Sequence, residues 1–262
     1  MSALRSRLAL VASGFLCLIT AKASAQDLFE IQVYPYDTVA PGRTMVEFHT
    51  NFFPSGTTEA APGEFPLNHQ AHLTVEITHG FTRYFETALY VVTAMYVPNE
   101  GPKFAGWRIR PRFRLPEFHN FPFKVSLSFE VGFNQPEFEA DTRTLEIRPI
   151  FEREEGRLYV SINPDLTKSL RGPGSSDGIG FEPGVKVAWD MTPKIAAGVE
   201  YYAETGPIKH FEPWSEQHHL LFPTVDLNVS PDWELNFGVG RGLTNTSEHW
   251  IVKTIVGYRF KH

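Results

Sequence analysis

The chain has a single cysteine, Cys17, and it falls within the first 25 residues. Those residues form a basic start (Arg5, Arg7), an apolar stretch from Leu8 to Thr20 and a small-residue box, Ala23-Ser24-Ala25. This is the layout of a cleaved secretory signal, with residues 1–25 removed and a mature chain beginning at Gln26. No disulfide is then available to an exported protein, so burial and backbone pairing must hold it together. Positive charge is also scarce. Removing Arg5, Arg7 and Lys22 leaves 24 − 3 = 21 basic residues against 30 acidic ones, a formal charge of −9. That balance argues against nucleic acid as a partner. After the signal there is no run of about 18 apolar residues, the length a spanning helix needs. Capped, helix-period segments are missing as well.

What remains is rich in Phe, Gly, Pro and Val, arranged in short alternating runs. We read twelve strands, Thr44–Phe53, Asn68–His79, Thr82–Val97, Phe104–Leu115, Phe123–Asn134, Thr142–Glu152, Arg157–Leu166, Ile179–Asp190, Lys194–Thr205, Glu216–Val229, Trp233–Leu243 and His249–Phe260. Side chains alternate across a strand. In "FKVSLSFEVGFN", Phe123, Val125, Leu127, Phe129, Val131 and Phe133 therefore share one face, while Lys124, Ser126, Ser128, Glu130 and Asn134 share the other. The run "GWRIRPRFRLPEF" (Gly106–Phe118) is more pronounced, with Arg108, Arg110, Arg112 and Arg114 opposed to Trp107, Ile109, Phe113 and Leu115.

Alternation alone fits a soluble sandwich with its charges outward, or a membrane barrel with its charges inward. Two further signals favour the barrel. The odd-numbered connections are the longer set, as in "PSGTTEAAPGEFPL", while most even-numbered ones are tight, such as "GF" at Gly80 and "REEG" at Arg153. "PEFHNFP" at Pro116 and "TNTS" at Thr244 break the rule. Aromatics also gather near strand ends, at Phe52, Trp107, Trp189, Tyr201, Trp233, Trp250, Tyr258 and Phe260, where interfacial girdles belong. The expected fold is an all-β, antiparallel, up-and-down transmembrane barrel over residues 44–262. Residues 26–43, including "LFEIQVYPY", are left open as a periplasmic segment, an extra strand or a plug.

The last strand, "WIVKTIVGYRF", resembles the C-terminal signal by which bacterial outer-membrane barrels engage their assembly machinery, although Lys261 and His262 follow its Phe. More widely, "FEIQVYPYDTVAPGRTMVEFHTNF" (Phe29–Phe52), "LEIRPIF" (Leu145–Phe151), "GFEPGVKVAWD" (Gly180–Asp190) and "GVEYYAETGPIKHF" (Gly198–Phe211) resemble exported barrels related to the phenol-degradation meta-pathway proteins, described as outer-membrane transporters. The resemblance implies a barrel, outer-membrane lipid around it and a small-molecule solute. It says little about which solute.

In a closed barrel the charged face lines the lumen. The expected lining residues are Arg108, Arg110, Arg112, Arg114, Glu130, Glu146, Arg148, Glu152, Glu182, Lys186, Glu200 and Asp226. Arginines about 7 Å apart along one strand repel and need partners. Glu130 on the next strand is the first candidate, followed by Glu146, Glu152, Glu182, Glu200 and Glu204. A recurring proline-apolar-charge pattern, at Pro111, Pro149, Pro183 and Pro223, suggests bulges at similar depth and a ring of alternating charge at Arg114, Glu152, Lys186 and Asp226. Two readings stay open: a narrow channel for anionic or aromatic solutes, or a structural or surface-attachment barrel whose lumen is blocked by its own ion pairs and which acts through loops such as "GPIKHFEPWSEQHH". A lipid hydrolase would use outward-facing His219 with Ser215 and His218 beside it, but no nucleophile motif accompanies them. His210, His218 and His219 could hold a metal, yet an ordinary polar loop explains them better. No cofactor and no enzymatic activity are expected.

Overall fold

The computed structural model describes residues 27–118 and 120–261; the signal expected at residues 1–25 lies outside the described residues. Twelve antiparallel strands close into one barrel in simple up-and-down order, β1 pairing with both β2 and β12. They are β1 (Thr44–Ser55), β2 (Ala71–Thr82), β3 (Phe85–Val97), β4 (Gly101–Arg114), β5 (Lys124–Asn134), β6 (Arg143–Glu155), β7 (Leu158–Arg171), β8 (Gly180–Thr192), β9 (Ile195–Glu204), β10 (His218–Leu227), β11 (Trp233–Gly242) and β12 (Trp250–Phe260). Besides strands, the described residues contain one short 3-10 turn, Pro173–Ser176.

The alternation read in the sequence is the alternation of the wall. Trp107, Ile109 and Phe113 are exposed on the outside, whereas Arg108, Arg110 and Arg112 are buried inside. On β5, Ser126, Ser128 and Glu130 point inward in the same way. Outward aromatics form two belts. Phe52, Trp107 and Trp250 lie toward one end, and Trp189, Trp233 and Phe260 toward the other.

One end of the barrel carries the tight turns at residues 83–84, 156–157, 193–194 and 228–232; the other carries 56–70, 135–142, 172–179, 205–217 and 243–249. The segment 115–123 is the long exception at the tight end. At the opposite end the third connection is shorter than the sequence suggests. β4 begins at Gly101, and Asn99 and Gly101, with φ of 65° and 77°, close a turn over residues 98–100. Left-handed backbone of this kind suits Asn and Gly.

The expected bulges at the four prolines are not found. Thr87↔Pro111, Leu127↔Pro149, Pro164↔Pro183 and Val199↔Pro223 all pair in register. Each proline interrupts or borders the ladder without shifting it; the β4–β5 pairs, for example, skip from Ile109↔Val131 to Arg112↔Ser128. The rings point outward, where the missing N–H costs one ladder bond but displaces no inward side chain.

Residues 27–43 run through the barrel before β1. Phe29, Ile31, Val33, Tyr34, Tyr36 and Val39 are all buried. Phe29 packs with Tyr90, Val92 and Ala94 of β3, and Ile31 and Val33 pack with Phe53, Tyr202, Leu220, Phe222 and Ile251. This internal strap leaves the lumen at the tight-turn end past Gly80. A Cβ on Gly80 would lie 2.2 Å from the Val39 carbonyl oxygen, so the strap's exit requires glycine there.

Candidate functional site

Outward-facing positions supply the apolar surface, so any chemistry of this barrel lies in its lumen. The strap is held there both by its packed side chains and by barrel groups that satisfy its backbone. The N–H of Tyr34 donates to Asn163 Oδ1 at 2.6 Å, and its carbonyl accepts from Ser161 Oγ at 2.7 Å and Asn163 Nδ2 at 3.2 Å. The N–H of Tyr36 donates to Glu152 at 2.8 Å and that of Val39 to Glu86 at 2.6 Å. Arg112 donates to the carbonyls of Pro35 (3.1 Å) and Asp37 (2.8 Å), Lys253 to Ile31 (3.0 Å) and Thr74 to Phe29 (2.9 Å). An extended segment inside a closed wall has no neighbouring strand, so side chains must meet its polar groups.

The arginine ladder is paired along its whole length. Arg108 meets Asp27 and Glu130, the latter at 3.5 Å. Arg110 meets Glu76 and, at 3.9 Å, Glu86; Arg112 meets Glu86 at 2.6 Å; Arg114 meets Asp37 at 2.6 Å. Among the expected acids, only Glu130 reaches the ladder. The others were sought forward along the chain, on β6, β8 and β9. The counter-charges in fact sit on the preceding strands β2 and β3 and on the strap. The inward parity of β2 (His72, Thr74, Glu76, Thr78) and β3 (Glu86, Ala88, Tyr90) was readable and pointed to them.

The remaining lining residues form their own network. Arg148 pairs with Glu146 and Asp165, each at 2.8 Å. Lys186 bridges Glu200 (3.1 Å) and Asp226 (2.8 Å), and Lys253 also binds Glu200. Glu152 lies 3.6 Å from Lys124, and Glu182 accepts from Thr167 at 2.7 Å. Of the four residues suggested as a charge ring, only Lys186 and Asp226 touch; Arg114 and Glu152 turn to the strap at Asp37 and Tyr36. Ion pairs close these charges between neighbouring strands, as in Arg112–Glu86 and Arg148–Asp165, or across the bore, as in Arg110–Glu76 and Lys253–Glu200, so the bore does not set a basic wall against an acidic one.

Two tyrosines of the strap sit at the centre. The Tyr34 ring lies under the guanidinium groups of Arg110 and Arg148, 4.4 and 4.2 Å from its centroid, and its hydroxyl meets that of Tyr90 at 3.0 Å. Tyr36, two residues on, takes Arg114 at 5.1 Å and Lys124 at 5.7 Å. Beside them a cavity of about 330 Å³ opens at the tight-turn end. Tyr34, Arg110, Arg112, Glu86, Arg43 and Glu234 are among its walls.

Two trios bring possible metal ligands within 4.8 Å of one another: Glu30, His49, Glu76, and Asp27, Glu30, Glu130. Arg110 and Arg108 already lie on their carboxylates. On the outer face, His219 stacks on Trp214 at 3.9 Å, and its two ring nitrogens meet Tyr201 (2.6 Å) and Gln217 (2.9 Å). Ser247 Oγ accepts from the backbone N–H of His219, not from its ring. The imidazole is thus a packed strut at the barrel rim, and no serine hydroxyl is directed at it.

No protein-family model matches the chain, and no curated protein matches it. Solved structures do. The COG4313 outer membrane channel from Pseudomonas putida F1 superposes with a TM-score of 0.59 at 11% identity, over 88% of this chain and 100% of that one. The KdgM porin gives 0.54 at 11% identity over 83% and 99%, and the NanC porin 0.53 at 9% identity over 84% and 100%. At such identities the likeness is one of fold. This chain folds as a twelve-stranded outer-membrane-type barrel.

Proposed function

We propose that the protein is an outer-membrane channel for small solutes, anionic or aromatic, whose bore is occupied by the strap at residues 27–43. The aromatic-belted apolar exterior supports a lipid environment, with the tight-turn end facing the periplasm. The similar barrels are described as porins and channels, which supports conduction. The final strand supports recognition by the outer-membrane assembly machinery. We assign no enzymatic step.

The observation that carries this reading is the way the strap is held. Its backbone is bound by reversible polar contacts inside a closed, charged wall, so moving it would open a path without unfolding the barrel. Single-channel recording in planar bilayers tests this. The intact protein conducts rarely, whereas a chain lacking residues 27–39 conducts steadily. A silent deletion variant that still shows heat-modifiable migration would leave the second reading. In that reading the wall's own ion pairs block the lumen even without the strap, and the barrel is structural or serves surface attachment.

A further inference from the structure

Three guanidinium groups gather around Tyr34, each also paired with a carboxylate. Arg110 of β4 and Arg148 of β6 lie over its ring, with Arg112 at 5.6 Å. All three arginines are buried. Several of their N–H groups nevertheless make no hydrogen bond among the described residues: Nε and Nη1 of Arg110 and Nη1 of Arg148. Buried donors without acceptors are costly, and more so on a charged group. The phenol supplies a π face to these cations, and its hydroxyl goes to Tyr90. It carries no anion that could take the idle donors.

An aromatic ring bearing one carboxylate would meet both demands. Guanidinium groups stack on aromatic faces and fork onto carboxylates. Glu76 and Glu130 lie near by and would repel a second negative charge, so a monoanion fits better than a dianion. The cavity at the tight-turn end already reaches Tyr34, Arg110 and Arg112. We propose that Tyr34 occupies a solute site for a monocyclic aromatic monocarboxylate, which takes the place of its ring when the strap moves. The solute's ring lies against Arg110 and Arg148 and its carboxylate accepts their idle N–H groups. The biological use of this site rests on the channel reading; its binding chemistry does not.

Calorimetry on the detergent-solubilised full chain tests it, with benzoate as probe and acetate and benzyl alcohol as controls. Tyr34→Ala binds benzoate at least about tenfold more tightly than either control, since ring and charge each contribute about 1.4 kcal/mol. Adding Arg148→Lys, which keeps the charge but loses the flat fork, weakens benzoate about tenfold. If Tyr34→Ala leaves the barrel unfolded, benzoate restores its heat-modifiable band and acetate does not. Benzoate binding no better than acetate, indifference to Arg148→Lys, or failure of benzoate to rescue an unfolded variant would each overturn the site. A silent strap deletion with benzoate binding intact would instead sink the channel alone.

Discussion

Asn163 treats Tyr34 as a neighbouring strand would, accepting its backbone N–H at 2.6 Å and donating to its carbonyl at 3.2 Å. Ser161 adds a third bond to the same carbonyl. The strap therefore has a substitute sheet edge built from two side chains of β7. Replacing both by alanine removes three hydrogen bonds at about 1 kcal/mol each, which raises the displaced population by roughly a hundredfold. A Val33→Cys probe reads this directly, because Cys17, in the expected signal, is the only native cysteine. Its maleimide labelling accelerates in Ser161→Ala/Asn163→Ala. Unchanged labelling would show that apolar packing alone holds the strap.

The arginine ladder is graded from a dry middle to a wet end. The side chains of Arg110 and Glu76 are 2% and 1% exposed, whereas Asp37, the partner of Arg114, is 67% exposed. Glu76→Gln leaves a buried cation short of its counter-charge and lowers stability by about 3–5 kcal/mol. Arg114→Ala costs less than about 1 kcal/mol, as exposed pairs do. Urea unfolding from vesicles separates the two; equal losses would contradict the gradient.

At the tight-turn end Arg43 joins both sides of the seam. It donates to Asp232 at 2.6 Å, to the Arg259 carbonyl at 2.6 Å and to the Phe260 carbonyl at 3.1 Å. Hydrogen bonds from Arg43 and Lys261 hold the Asp232 carboxyl below its ordinary value of 3.8. A depressed carboxyl stabilises the fold above its unfolded pKa and loses that contribution as pH falls through the lower folded value. The thermal midpoint of heat-modifiable migration in wild type thus exceeds that of Asp232→Asn at neutral pH. The gap closes as the pH drops below 3.8. A gap that persists in strong acid would rule out this titration as its source.

Ile109 lies on the outward side of the same strand that carries the arginines, the side proposed to meet lipid. Ile109→Arg costs about 2–4 kcal/mol near the bilayer midplane, against almost nothing for Thr58→Arg in the exposed loop at residues 56–70. Refolding yield into vesicles measures this. A tolerated Ile109→Arg would place that face against protein or water.

The wall was legible from residue type alone because a two-residue period leaves each strand one choice of faces, and the long-and-short connections oriented the set. Lining residues such as Arg148, Lys186 and Glu200 followed from that parity. Their partners did not. A closed ring gives each charge neighbours on both sides, and Arg110 finds Glu76 two strands back, past the nearer Glu86. The strap was ambiguous for another reason. "EIQVYPY" alternates like a strand, but it binds side chains rather than a strand edge, and nothing in its pattern says so. The prolines misled because their rings face outward, where losing one ladder bond leaves the register intact.

Lys253 of β12 donates to the Ile31 carbonyl, so the seat of the earliest described segment is finished only by the final strand of the chain. While the cylinder is still ajar, its cork has no complete socket. Sealing the wall and stoppering the bore become one event, and a nascent barrel is spared a stage in which it leaks. A chain shortened by its last strand would lose both properties together.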